Sequence, residues 1–393
     1  MVPDRIDSTE RLAATLEMLA RLVSFDTESA KSNLPLVDDV ETYFRAHGVD
    51  YVKVPNATGD KAALFATIGP KIDGGVLLSG HTDVVPVAGQ TWTSDPFKLR
   101  REDGRVYARG ACDMKGFDAL CLAMVPEFLS ADLKRPIHIL LSYDEEIGCR
   151  GSLDTIARFG HDLPRPASVI VGEPSLMQVA DAHKSITTYR TNVCGHEAHS
   201  SKPYLGSSAI EVACALIGEL YRLADDLKTA GDPSGRFDPP CSTIHVGIIR
   251  GGTARNILAR ECVFEWEFRG LPNVDYNLAL AHMNAQIARI VAEKAADPAK
   301  RARVDTAAHH PVPGLNPEPG SLAENLGLKL ARRNATITVS YASEAGQFQA
   351  AGIPTIICGP GSIDQAHQPD EYIEIDQLAA GVTFMRRLAA ELS

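Results

Sequence analysis

Five residues that could bind a metal ion end short apolar runs of the sequence, follow them, or lie in a turn: His81, Asp113, Glu146, Glu173 and His367. The set combines imidazoles with carboxylates and has no thiolate, which suits Zn²⁺, Co²⁺ or Mn²⁺ better than Cu(I) or an iron–sulfur cluster. Because these ligands exceed what one tetrahedral ion needs, we expect two ions. If Asp113 bridges them, each ion keeps one histidine, one glutamate and an open position for water. The pattern therefore predicts a two-metal hydrolase.

Strand-like segments must bring these ligands together. Brief apolar runs occupy 76–78, 137–141, 168–171 and 354–357, and each is followed by one of the ligands. Such runs, bounded by Gly, Pro and Asp, are typical of strands buried on both faces of a mostly parallel sheet. Ligands at the carboxyl ends of these strands would share one crevice, while Asp113 ends a turn-like stretch at 109–113.

Length and composition limit the class of protein. A chain of 393 residues favours two domains. The net charge of -11 and the lack of a long basic run argue against a nucleic-acid partner. We expect a cytoplasmic protein, since no secretory signal is visible and no apolar run reaches the roughly 18 residues of a membrane span. The eight cysteines form no CxxC pair and are predicted to be reduced thiols, although Cys112, beside Asp113, stays open as a further ligand.

A large insertion separates the fourth ligand from the fifth. An amphipathic helix at 8–23 opens the chain, and between the ligands the pattern predicts strands at 186–193, 243–248, 262–268 and 303–305 and helices at 207–228 and 275–295. This βαββαβ order is that of a ferredoxin-like unit. We therefore predict an α/β catalytic metal-binding domain built from 1–183 and 309–393, interrupted by an α+β lid and dimerisation domain at 184–308.

Four motifs carry a family resemblance: HTDVVP at 81–86, GACDMKG at 110–116, DEEIG at 144–148 and GEPS at 172–175. Together they resemble the acetylornithine deacetylase and succinyl-diaminopimelate desuccinylase family of dinuclear zinc amidohydrolases and peptidases, over nearly the whole chain. The resemblance implies a zinc-peptidase-like catalytic domain with two Zn²⁺ per subunit, for which Co²⁺ could substitute. One ion would be held by His81 and Glu173 and the other by Glu146 and His367, with Asp113 between them.

The resemblance also implies two catalytic carboxylates beside the ligands. Asp83 would accept the free N–H group of the His81 imidazole, which fixes the tautomer and raises the basicity of the ligand. Glu145 would be the general base that takes a proton from water and delivers it to the leaving amine. We expect Glu145 and Glu146 to point to different sides because neighbouring residues at a strand end alternate.

Residues of the insertion are expected to grip the substrate. The segment at 195–201 resembles the family segment whose second histidine, here His199, reaches the active site of the partner subunit and hydrogen-bonds the oxyanion. This implies a homodimer formed through the lids. Asn256 and Arg269 match substrate-binding positions, and an arginine fork suits the α-carboxylate of an N-acyl amino acid.

The segments at 343–348 and 359–367 are most similar to the acetylornithine deacetylases of this family. They imply hydrolysis of N2-acetyl-L-ornithine to acetate and L-ornithine, a step of arginine biosynthesis, with Glu344 paired to the side-chain ammonium. Succinyl-diaminopimelate desuccinylation, general N-acyl amino acid hydrolysis and dipeptide cleavage stay open. A binding protein that has lost catalysis is the alternative from another class, and the retention of Glu145 and all the ligands argues against it.

Overall fold

A computed structural model describes residues 8–272, 274–295 and 301–393. The N-terminal residues 1–7, on which the expectation of no secretory signal rests, lie outside this part. None of the helices described is both long and apolar enough to span a lipid bilayer. The chain divides into two compact units, the first comprising Met1–Ala182, Pro317–Ile337 and Ser343–Ser393 and the second His183–Asn316 and Thr338–Ala342. The predicted insertion, 184–308, falls inside the bounds of the second unit.

The strands of the described residues are, in chain order, β1 (Asp50–Pro55), β2 (Ala62–Ile68), β3 (Val76–His81), β4 (Arg100–Glu102), β5 (Arg105–Tyr107), β6 (Ile137–Ser142), β7 (Ser168–Pro174), β8 (Ala180–His183), β9 (Ser185–Cys194), β10 (Thr243–Gly251), β11 (Glu261–Gly270), β12 (Arg303–Ala308), β13 (Ile337–Val339), β14 (Thr355–Gly359) and β15 (Tyr372–Glu374). The helices are α1 (Ser8–Val23), α2 (Leu34–His47), α3 (Lys115–Ala123), α4 (Val125–Ser130), α5 (Leu153–Ile156), α6 (Ala209–Ala230), α7 (Leu278–Ala295), α8 (Leu322–Ala331), α9 (Ala345–Ala350) and α10 (Ile375–Leu392). Short 3₁₀ helices lie at Pro203–Leu205 and Ile363–Gln365.

The main sheet runs in the order β1-β2-β6-β3-β7-β14-β8-β13. Its four middle strands, β6, β3, β7 and β14, pair in parallel, whereas β1, β2 and β8 join by antiparallel pairing. All residues of the middle strands are buried, as expected for strands covered on both faces. These strands are the apolar runs predicted from the sequence, and the mostly parallel α/β fold is confirmed.

Helices cover this sheet and anchor the turn that carries Asp113. The amphipathic helix α1 buries Leu19 and Val23 and packs against α3 and α10. Every residue of α3 is buried, so the segment directly after Asp113 is held inside the core. A separate small sheet, ordered β15-β5-β4, lies in the same unit.

The second unit contains a four-stranded antiparallel sheet in the order β10-β11-β9-β12. On β11, Phe264, Trp266 and Phe268 alternate with more exposed residues and form one hydrophobic cluster with residues of α6 and α7. The chain order of these elements is βαββαβ. The ferredoxin-like α+β insertion is thereby confirmed.

Candidate metal centre

The carboxyl ends of the four parallel strands supply most of the candidate ligands. His81 is the last residue of β3, and Glu173 lies near the end of β7. Glu145 and Glu146 follow β6, and His367 follows β14 beyond a 3₁₀ turn. Parallel strands end at one edge of a sheet, so four separate stretches of the chain converge there.

Asp113 lies between the two histidines. Its Oδ1 is 3.2 Å from Nε2 of His81, and its Oδ2 is 3.3 Å from Nε2 of His367. The turn that presents it contains Gly110 at a φ of 80°, a left-handed conformation that suits glycine. One carboxylate thus faces both imidazoles, which is the arrangement that a ligand shared by two ions requires.

Glu146 and Glu173 lie near different histidines on the two sides of Asp113. Oε2 of Glu146 is 3.0 Å from Nε2 of His367, and Oε1 of Glu173 is 3.9 Å from Nε2 of His81. Ligand atoms of His81, Glu145 and Glu173 lie within 4.8 Å of one another, as do those of His81, Asp113 and Glu146. All the predicted ligands and the predicted base therefore lie in one cluster.

The cluster concentrates negative charge away from water. Burial, and after it the neighbouring carboxylates, raise the pKa of Glu145, Glu146 and Glu173, so that the pKa of Glu146 reaches about 7. Hydrogen bonds to Asp113 and Glu146 raise the pKa of His367 to about 10. Within the described part of the chain, no lysine or arginine forms an ion pair with these carboxylates.

The donor set fits divalent cations. Oε1 of Glu146 is buried and receives no hydrogen bond from any described residue. A buried carboxylate oxygen without a partner is costly, and a cation is the partner that would remove this cost. Imidazole and carboxylate donors together suit Zn²⁺ and related ions.

Asp83 fixes both a ligand and the turn beside it. Nδ1 of His81 is 2.9 Å from the backbone oxygen of Asp83 and 3.5 Å from its Oδ1. Donation from Nδ1 leaves Nε2 free to bind an ion. The carboxylate of Asp83 also accepts the backbone N–H groups of Glu145, at 3.1 Å, and Glu146, at 3.3 Å.

The expectation that strand alternation separates Glu145 from Glu146 is wrong in its mechanism. The strand β6 ends at Ser142, and both glutamates lie in a turn that follows Asp144, which has a positive φ. Glu145 and Glu146 have different neighbours because the backbone changes direction between them in this turn, which is held by hydrogen bonds to Asp83.

Sequence reasoning did not single out two contacts of the cluster. The thiol of Cys149 donates to Oε1 of Glu145 at 3.1 Å, and Glu371 accepts the backbone N–H group of Asp113 at 3.0 Å. Neither residue lies in a motif with a recognisable spacing. The thiol of Cys112 donates to the backbone oxygen of Ser362 at 3.3 Å, and burial raises its pKa well above the usual value.

Glu344 is buried in the first unit, with 1% of its surface exposed. Burial raises the pKa of its carboxyl to about 7, although serine hydroxyls and the nearby His81 oppose this. Its Oε2 is 3.4 Å from the hydroxyl of Ser79, and no described residue forms an ion pair with it. Its proposed pairing with a substrate ammonium stays a prediction.

The other predicted substrate residues belong to the second unit. The backbone around His199 pairs with that around Asn256, since Ser200 donates to the carbonyl of Asn256 at 2.9 Å. Nδ1 of His199 accepts the backbone N–H group of Ser201 at 3.2 Å, so in the neutral imidazole the proton is on Nε2. Nε of Arg269 is 2.9 Å from Oε1 of Glu267.

Known proteins resemble this chain over most of its length. The model of peptidase family M20/M25/M40 matches residues 77–391. An acetylornithine deacetylase from Shigella sonnei (strain Ss046) is 35% identical over 378 residues, which cover 95% of this chain and 94% of the relative. A tripeptidase from Staphylococcus aureus has a TM-score of 0.75 at 20% identity, covering 96% of this chain and 99% of that one. A dinuclear metal-binding peptidase of the M20 family from Bacillus subtilis has a TM-score of 0.67 at 14% identity, covering 98% and 99%.

The fold and the cluster of ligands define a metal-dependent hydrolase. The chain belongs to peptidase family M20/M25/M40, and the resemblance found in its sequence motifs is confirmed. It is an enzyme of the amidohydrolase and metallopeptidase type that this family comprises.

Proposed function

We propose that this enzyme hydrolyses the acetyl amide of N2-acetyl-L-ornithine to acetate and L-ornithine with two zinc ions. The observation that carries the proposal is Asp113, whose two oxygens face the two imidazoles of a buried cluster. The choice of substrate is supported by the 35% identity to an acetylornithine deacetylase over 95% of the chain. The choice of zinc is supported by the histidine and carboxylate donors, and Co²⁺ could replace it.

His81 and Glu173 would hold one ion, Glu146 and His367 the other, and Asp113 both. When bound, such ions polarise an amide carbonyl and make water more acidic. A relative by fold, the M20 peptidase from Bacillus subtilis, is described as binding a dinuclear metal centre.

Glu145 would move the proton. Its carboxylate is within 4.8 Å of ligand atoms of His81 and Glu173 but is not needed as a ligand. It would take a proton from the attacking water and pass it to the amide nitrogen as the C–N bond breaks. The thiol of Cys149 donates to its Oε1, so the other carboxylate oxygen would take the proton.

His199, Asn256 and Arg269 would bind the substrate. Nε2–H of His199 is free to donate to the oxyanion because Nδ1 accepts from Ser201. Arg269 would exchange part of its pairing with Glu267 for the α-carboxylate. We propose that the enzyme is a homodimer joined through the second unit, in which His199 serves the site of the partner. The edge strand β10, with Ile248 39% and Ile249 51% exposed, is suited to such an interface.

Side-by-side assays would test the substrate and the base. Metal-reconstituted wild type and Glu145→Ala would be compared on N-acetylornithine, succinyl-diaminopimelate, N-acetylnorvaline and a dipeptide. We expect N-acetylornithine to have the highest kcat/KM, and Glu145→Ala to lose roughly 10²–10⁴-fold in kcat while its metal content is unchanged. A higher kcat/KM on another substrate would refute the substrate. Wild-type protein that binds metal and hydrolyses none of them would be a binding homologue.

A further inference from the structure

Arg109 and Glu371 form a buried ion pair next to the turn that carries the ligand Asp113. Nη1 of Arg109 is 2.7 Å from Oε2 of Glu371, and each side chain is 1% exposed. The pairing follows from the small sheet, in which Tyr107 of β5 is opposite Tyr372 of β15 and Ala108 donates to the carbonyl of Glu371 at 3.1 Å. The pair therefore extends this antiparallel register toward the turn that carries Asp113.

Glu371 uses its second oxygen to hold that turn. Oε1 accepts the backbone N–H groups of Cys112, at 2.9 Å, and Asp113, at 3.0 Å. Hydrogen bonds from two successive amides to one carboxylate oxygen are charge-assisted and fix the direction of the peptide planes. Glu371 thus fixes the backbone of the bridging residue.

Arg109 extends the network to His367. Its Nη2 donates to Oε1 of Gln90, whose Nε2 in turn donates to the backbone oxygen of His367 at 2.8 Å. Nη1 of Arg109 also donates to the carbonyl of Gln368 at 3.3 Å. A continuous chain of hydrogen bonds therefore joins the backbone of Asp113 to that of His367.

The two halves of the metal centre differ in how they are supported. His81 and Glu173 are 1% and 5% exposed at their side chains and belong to central strands of the sheet. His367 has 52% of its side chain exposed, lies in a loop and has a φ of 62°. The position of His367 therefore depends on side-chain hydrogen bonds such as that from Gln90, because His367 does not belong to a strand of a described sheet.

We propose that Arg109 and Glu371 are positioning residues that set the spacing of Asp113 and His367 and thereby the affinity for the ion that these ligands share with Glu146. This inference rests on the proposed two-ion site. Burying an ion pair costs desolvation energy, and its role here is to orient ligands. Arg109 suits this role better than lysine would, since its fork reaches Glu371 and Gln90 at once.

Zinc titration of the full-length enzyme would test the proposal. Glu371→Gln places an amide group against Arg109, and Arg109→Lys keeps the charge but loses the fork. The matched controls are Glu374→Gln and Arg105→Lys, which alter an exposed pair, 3.5 Å apart, on the strands β15 and β5 that lead to Glu371 and Arg109. Stepwise zinc affinities would be measured by competition with a chromogenic chelator, without substrate.

We expect the second, weaker ion, held by Glu146 and His367, to bind both variants roughly 10–100-fold more weakly than the wild type. The first ion, held by His81 and Glu173, should lose clearly less, because Asp113 is the only displaced ligand that it shares. The controls should bind both ions normally, and excess zinc should restore kcat. Wild-type affinity for the second ion in the variants, or equal loss of both ions, would overturn the proposal. A wild type that takes up only one ion would instead refute the two-ion function.

A milder variant covers the case in which Glu371→Gln does not fold. Gln90→Ala leaves the pair of Arg109 and Glu371 intact. It removes the donor to the carbonyl of His367 and the acceptor of Nη2 of Arg109. We expect a smaller loss of affinity in the same direction, confined to the second ion. Unchanged binding of that ion by Gln90→Ala together with Arg109→Lys would overturn the proposal.

Discussion

The carboxylate of Asp83 accepts the backbone N–H group of Glu145, with Oδ1 3.1 Å from the amide nitrogen. The same carboxylate accepts the backbone N–H group of Glu146 and, at 2.7 Å, the hydroxyl of Ser29. Burial alone would raise the pKa of Asp83, but hydrogen bonds, above all that with His81, hold it below its usual value. One ionised side chain thus orients a ligand and positions the turn that bears the proposed base.

Replacing Asp83 by asparagine should impair catalysis more than binding of the ions. The amide keeps the volume but offers one acceptor oxygen, so one backbone N–H group of the turn loses its partner. We expect kcat/KM on N-acetylornithine to fall roughly 10–100-fold. Ser29→Ala, which removes one neutral donor from the same carboxylate, should have a much smaller effect. Wild-type kcat/KM for Asp83→Asn, with metal content checked by elemental analysis, would contradict this role.

Removal of the ions should destabilise the protein. Asp113, Glu145, Glu146 and Glu173 then repel one another in a buried site, and Oε1 of Glu146 has no partner among the described residues. Each ion that binds only the folded state adds about 2.7 kcal/mol at a free concentration of 100 times its Kd. We expect Tm to fall on chelation and to recover with zinc. A Tm that does not respond to zinc would contradict two ions bound in this cluster.

Glu344→Gln should reduce the preference for a substrate with a side-chain ammonium. Glu344 is buried and forms no ion pair with any described residue, so a substrate ammonium would supply the missing partner. A charge-assisted hydrogen bond contributes about 1.5–3 kcal/mol, or roughly 10–100-fold in kcat/KM. We expect this loss on N-acetylornithine and little change on N-acetylnorvaline, which lacks the ammonium. An equal loss on both substrates would assign Glu344 a structural role.

The sequence was informative where structure is local. Apolar runs marked the four central strands, and the side chains at their carboxyl ends had to meet because parallel strands end at one edge. His81 and Glu173 could therefore be assigned to one site before the fold was known. The βαββαβ order of the insertion could also be predicted, since apolar residues alternate along its strands and recur every three or four residues along its helices.

Contacts between distant segments could not be predicted. Arg109 and Glu371 are 262 residues apart and carry no motif, and their pairing depends on the register of a small sheet of short strands. The sequence predicts a strand end at Glu145 and Glu146, whereas the structure has a turn there, because a positive φ at Asp144 has no strong signal in an aspartate. The cis peptide between Asp113 and Met114 likewise has no marker, since neither residue is proline.

His138, away from the metal centre, should make stability depend on pH. Its ring stacks on Phe65, with centroids 5.2 Å apart, and its nitrogens lie 3.0 Å from Oγ1 of Thr67 and 3.2 Å from the carbonyl of Gly74. Burial lowers its pKa to about 4, partly opposed by the bond to Gly74. The folded state therefore keeps a neutral imidazole under conditions in which the unfolded chain, with a pKa of about 6.5, is protonated.

The contribution of His138 is fully present above the unfolded pKa and is lost as pH falls from about 6.5 to about 4, because only the unfolded chain takes up the proton in this window. Between pH about 8 and about 5 this should lower the free energy of unfolding by about 2 kcal/mol. We expect His138→Gln to show a smaller drop than wild type in urea unfolding at these two pH values. His161→Gln, which alters an exposed histidine of the same unit, should retain the wild-type drop. The wild type and both variants have the same metal ligands, so the metal centre affects all three equally. If the free energy of unfolding falls equally in all three, His138 takes up its proton in the folded state as it does in the unfolded chain.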